Sequence, residues 1–230
     1  MKKNILFLSA LTGLLFLVAC ATTQKAPVNE FTLNCGLLGD YCSKLEPGAK
    51  NQAGMRYINP AAQWTKYSKV MIDPAGFYGG ADTKVPAEDQ QKLVDYFTQQ
   101  LNLQLAKKFE IVQQPGPGVV KIQTALTDVS AATPGLRSVS MVVPQARVLG
   151  SLKYLATGTY PFVGGAQAEA KISDSETGEV LAAGVDRQLG GGSAKAGAQW
   201  EWGDAENAIN YWCEMLTAKL SSWTSGTAPD

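Results

Sequence analysis

The sequence predicts an α+β domain, a two-layer sandwich with two main helices on one face of a mostly antiparallel sheet, placed after a signal peptide and a flexible tether. Three observations predict it. Between Pro86 and Phe109, Leu93, Tyr96, Phe97, Leu101 and Leu105 recur at helical spacing. A second apolar stripe, Ala208, Ile209, Trp212, Leu216, Leu220 and Trp223, follows Asp204, a candidate helix cap. Between them, Gln167 to Asp174 alternates small apolar with polar residues, and Ser175-Glu176-Thr177-Gly178 turns it into Glu179 to Leu189, the pattern of a β-hairpin.

In chain order, residues 1–19 read as a cleaved signal peptide: Lys2 and Lys3, an uncharged run from Ile5 to Val18, then a small residue before Cys20. That run has about 14 positions, short of the ~20 a membrane-spanning helix needs. Leu17-Val18-Ala19-Cys20 resembles the lipobox of bacterial lipoproteins, which implies a lipid on Cys20 and attachment to a membrane. One acyl chain holds a protein marginally and two or three hold it stably. Ala21, where an Asp would by the same resemblance favour the inner membrane, implies the periplasmic face of the outer membrane. Residues 20–34 read as a lipidated tether and residues 35–225 as a single periplasmic domain.

Within the domain, Gly36 to Pro60 is rich in turn residues, and Lys69-Val70-Met71-Ile72-Asp73, ended by Pro74, is a strand. The first helix has Glu88 and Asp89 early and Lys107 and Lys108 late, as the helix dipole favours. A short strand at Glu110 to Val112, the turn Pro115-Gly116-Pro117-Gly118 and a half-buried strand from Val119 to Val129 follow. Residues 131–165 carry no assignable pattern, and Gly190-Gly191-Gly192 opens a linker.

Four motifs follow in order: Gly36-Leu37-Leu38-Gly39-Asp40-Tyr41 with Leu45, Tyr67 to Pro74, Pro115-Gly116-Pro117 with Ala125 to Val129, and Glu169-Ala170 with Asp174 and Thr177-Gly178-Glu179-Val180. Together they resemble the DUF3313 family of bacterial lipoproteins of unknown function. The resemblance implies location and no activity. It implies Ser or other small residues where this chain has Cys35 and Cys42.

The chain has no histidine, and beyond residues 1–19 it has 18 basic against 20 acidic residues. Histidine-dependent triads and HExxH zinc sites are thereby excluded, and the absence of a basic cluster argues against nucleic acid. No catalytic, cofactor-binding or metal-ligating set is identified. With Cys20 lipidated, Cys35, Cys42 and Cys213 remain. Cys35 and Cys42 flank a short loop whose closure by a disulfide would contribute about 2.5 kcal/mol, and Cys213 reads as a buried small hydrophobe.

The expectation is a non-enzymatic binding or structural module for another envelope protein or a cell-wall component. The alternative is a carboxylate-dependent enzyme acting on cell-wall or glycan material through Asp174 or Glu169, with Glu176 and Glu179 nearby. A third option, a carrier of a small molecule or lipid with residues 131–165 as a lid, requires an apolar cavity. Asp186-Arg187 reads as an exposed ion pair at a strand end, and Trp200 and Trp202, in a glycine-flanked segment, are a candidate exposed surface for a protein or glycan.

Overall fold

A computed structural model describes residues 23–28, 35–80, 83–132, 163–190 and 201–229. The signal segment, Cys20, Trp200, most of the unassigned 131–165 region and the linker after Gly190 lie outside these residues.

Nine strands form one sheet among the described residues. In chain order they are β1 (Thr23–Ala26), β2 (Glu46–Pro47), β3 (Met55–Ile58), β4 (Lys69–Ile72), β5 (Gly76–Phe77), β6 (Glu110–Ile111), β7 (Val119–Ser130), β8 (Gly165–Asp174) and β9 (Val180–Gly190). Two long helices, α1 (Ala87–Leu105) and α2 (Gly203–Thr224), pack together. The spatial order is β2-β3-β9-β8-β7-β4-β6, with β1 beside β9 and β5 beside β7.

The antiparallel part runs β2-β3-β9-β8-β7 with β1 beside β9; at its centre is the meander β7-β8-β9, in which the turn at Ser175 to Gly178 joins β8 to β9. Asp174 nucleates that turn by accepting the Glu176 and Thr177 amides at 3.0 Å each, and Gly178 supplies the positive φ of 73°. A parallel part joins it: β4 pairs with β6 and β7, and β5 with β7. Parallel neighbours need a crossover, and α1 provides it between β5 and β6.

The helices lie on one face and run parallel. Asp89 at the start of α1 meets Trp202 before α2, Tyr96 meets Asn210, and Phe97 packs on Trp212 at 6.1 Å. The main core joins their apolar stripes to Val120, Ile122 and Leu126 of β7 and Ala166, Ala168 and Ile172 of β8. On the opposite sheet face a smaller cluster, Val180, Ala183 and Val185 with Leu38, is covered by the segment around the 3-10 helix Gly39–Lys44. A disulfide joins Cys35 to Cys42, with Cα atoms 5.8 Å apart, at the start of that cover.

Four expectations are corrected here. Residues 20–34 are not all tether, because Thr23 to Ala26 pair with Gly190 to Arg187 of β9. The turn-rich stretch 36–60 contains β2 and β3, and β3 continues along the edge of β9 that β1 occupies. Asp204 does not cap α2 from outside; it sits buried in the first turn, where Oδ2 accepts the Gly164 amide at 2.8 Å. Val119 to Val129 is buried more fully than half, since Ala125 and Thr127 as well as the helix-facing residues are covered.

Candidate functional site

Where β8 and β9 pass beneath α2, the residues facing the helix are Ala168 and Ala170 on one strand and Ala182 and Gly184 on the other. A sheet floored with such small side chains stays low, while α2 opposes it with Trp212, Met215, Leu216 and Trp223, large residues that hold the backbone away. The mismatch leaves a cavity of about 120 Å³ between the layers. Phe97 and Leu101 of α1 and Ile58 of β3 close its sides. It reaches the surface between β3 and α2, where Gln52, Ala53, Arg56 and Lys219 are half-buried.

The lining is almost wholly apolar. One hydroxyl, Thr124 Oγ1 on β7, is buried there with no protein hydrogen-bond partner. A buried hydroxyl left unpaired costs about 1–3 kcal/mol, so this atom favours an occupant able to bond to it.

Asp186 stiffens the same wall. Its Oδ2 accepts Trp212 Nε1–H at 2.8 Å and Gln188 Nε2–H at 2.7 Å, and Oδ1 accepts the Gly54 amide at 2.8 Å. One carboxylate thereby ties α2 and the start of β3 to β9. Burial pushes its pKa up, against the pull of these donors and of Lys25. The expectation of an exposed Asp186-Arg187 ion pair is corrected: strand alternation sends Asp186 inward at 5 % exposure, and Arg187 pairs instead with Asp128 at 3.9 Å.

Of the other carboxylates considered for catalysis, Asp174 and Glu176 border one hollow at the hairpin turn together with Lys121 and Lys171, and Glu169 lies apart from them beneath the covering segment. Glu169 and Asp174 stand on opposite faces of β8. Glu169 is fully buried and accepts the Cys35 and Leu37 amides at 3.1 and 3.3 Å, which fastens the covering segment to the sheet; burial raises its pKa against those bonds. Asp174 accepts the Tyr67 hydroxyl at 2.8 Å and pairs with Lys66 at 3.3 Å. Burial opposes its charge, but the Thr177 amide, the Tyr67 hydroxyl, the Glu176 amide and Lys66 prevail and hold it well below the usual carboxylate range. Glu179 is exposed and accepts from Asn59 Nδ2, and Glu176 is exposed in the turn. Among the described residues no group of His, Cys, Asp and Glu is arranged to hold a metal ion.

Trp202 is not part of an exposed surface. It is 3 % exposed in the core, and its Nε1–H donates to Asp89 at 3.0 Å. Cys213 is fully buried, and burial and then Glu214 push its thiol up to about 12.

The profile of a family described as proteins of unknown function, DUF3313, matches residues 34–216. The chain belongs to the DUF3313 family. No curated protein matches it. Among solved structures it is similar to the PelC dodecamer from Paraburkholderia phytofirmans, at 11% identity over 70% of this chain and 94% of that one with a TM-score of 0.38. It is also similar to a DUF330 protein from Xanthomonas campestris, at 13% identity over 74% and 94% with a TM-score of 0.40. A third is a neuraminyllactose-binding hemagglutinin homolog from Helicobacter pylori, at 8% identity over 73% and 92% with a TM-score of 0.32.

The sequence does hold a signal for the cavity that motif reading passes over. Small residues at alternate positions of paired strands, Ala168 and Ala170 opposite Ala182 and Gly184, cannot fill the space beneath a helix that presents two tryptophans.

Proposed function

We propose that this DUF3313 protein is a lipid-anchored, non-enzymatic binding module of the bacterial envelope, held on the periplasmic face of the outer membrane by Cys20. Its cavity beneath α2 receives an apolar group of another envelope component. The observation that carries the binding reading is the cavity itself, an apolar space of about 120 Å³ with the Thr124 hydroxyl as its unpaired polar atom. Its size suits one ring or a few methylenes rather than a whole drug-sized ligand. The ligand class is therefore a small apolar moiety carrying one hydrogen-bonding atom. The anchor rests on Leu17-Val18-Ala19-Cys20 and the signal before it.

Benzene and phenol are suitable probes, followed by the fluorescence of the lining Trp212 and Trp223. The folded protein binds both saturably and phenol more tightly. Thr124→Val keeps the volume and abolishes the preference, whereas Ala182→Leu fills the floor and abolishes both. Absence of saturable binding by the folded wild-type protein would overturn the reading. For the anchor, intact mass of membrane-fraction protein starts at Cys20 and includes lipid, and Cys20→Ala loses both features; a wild-type chain without lipid refutes anchoring.

A further inference from the structure

We infer that the end of the sheet where β1 begins lies against the lipid leaflet, so that the domain stands end-on at the membrane instead of floating on a tether. The inference rests on lipidation of Cys20. Its own support is β1. Thr23 pairs with Gly190, the last residue of β9, and Ala26 with Arg187. The strand is fixed in place: Thr23 is buried and its hydroxyl donates to Gln188 Oε1 at 2.9 Å, and Lys25 Nζ donates to the carbonyls of Ala49 and Gln52, each at 2.9 Å.

From Cys20 to Thr23 the chain has three residue steps, which span at most about 11 Å when extended. The polar headgroup layer of one leaflet is about 6 Å thick. A lipidated Cys20 at that layer therefore holds Thr23, at the end of the sheet it shares with Gly190, Gly165 and Ser130, within about 5 Å of the outer boundary of the headgroups. The β1 strand runs from this end into the domain, alongside the long axis of β9. The hairpin turn Ser175 to Gly178 closes the opposite end, about 30 Å away along the ten residues of β8. The cavity floor at Ala182 and Gly184 lies between, six to eight residues from Gly190 and about 20–26 Å from the leaflet-facing end. Its opening faces sideways into the periplasmic space, out of reach of acyl chains still embedded in the leaflet.

The test uses the full lipidated protein in phosphatidylethanolamine and phosphatidylglycerol vesicles containing a lipid with a nitroxide quencher on its headgroup. Ser130→Cys and Glu176→Cys, both exposed positions, receive a fluorophore, while Cys213 is buried. Quenching is several-fold stronger at position 130 than at 176. A flexible insert of about twelve Gly and Ser residues before Thr23, reaching about 20 Å, removes the difference. Equal quenching at the two positions without the insert, in a sample whose mass shows lipid on Cys20, would overturn the inference while leaving the anchor intact. A sample whose mass shows no lipid overturns the anchor instead.

Discussion

At the scale of single residues, buried carboxylates organise this protein, and they do so in opposite electrostatic senses. Asp174 is held charged by its donors, so its folded pKa lies below the unfolded value of about 3.9. Its contribution to stability is present above about pH 4 and is lost as pH falls below that value. Asp186 has a raised folded pKa, so it costs stability as pH rises from about 4 through that value. Urea melts between pH 3 and 7 check both signs: Asp174→Asn flattens the acid-side loss, and Asp186→Asn flattens the decline toward neutrality. Asp186→Ala strands the donors on Trp212, Gln188 and Gly54 and lowers stability by about 3 kcal/mol in the same melts. The role of Asp186 was not legible in the sequence, because the adjacent Arg187 suggests a surface pair and only the strand's alternation separates the two. Trp202 misleads similarly: glycine neighbours suggest exposure, yet the indole seals the start of both helices.

At the scale of elements, legibility followed periodicity. The two helices and the β8-β9 hairpin were readable because their apolar spacing and turn residues are local. Strand β1, Thr-Gln-Lys-Ala, has no apolar alternation, and β3 is four residues long; both acquire their strand character from β9, more than 100 positions away in the chain. The cavity is legible only in part: the small residues alternating along β8 and β9 are a local pattern, but the large residues of α2 that oppose them are brought there by the fold. The close approach of β9 to α2 gives a further prediction. A Cβ added at Gly190 would run into the buried Asp204 carboxylate, which is already committed to the Gly164 amide. Gly190→Ala therefore lowers stability by about 1–3 kcal/mol, measurable by thermal or urea unfolding.

At the scale of the molecule, the sheet has a protected centre and a lightly held perimeter. Strands β7, β8 and β9 pair over ten or so residues each and are covered by helices on one side, while β2, β5 and β6 are two residues long. Hydrogen exchange is expected to be slowest in the central meander and fastest in β2 and β6, and uniform protection across the sheet would contradict this arrangement. The pairing of β1 with β9 has a mechanical consequence. The hydrogen bonds between antiparallel strands lie perpendicular to the strand axes. A pull on the chain at Thr23, directed out of the sheet end, acts along β1 and loads those bonds together in shear, whereas a pull across the sheet would open them one at a time. The pairing of β1 with β9 is thus suited to bear tension along the direction in which a lipid on Cys20 would apply it.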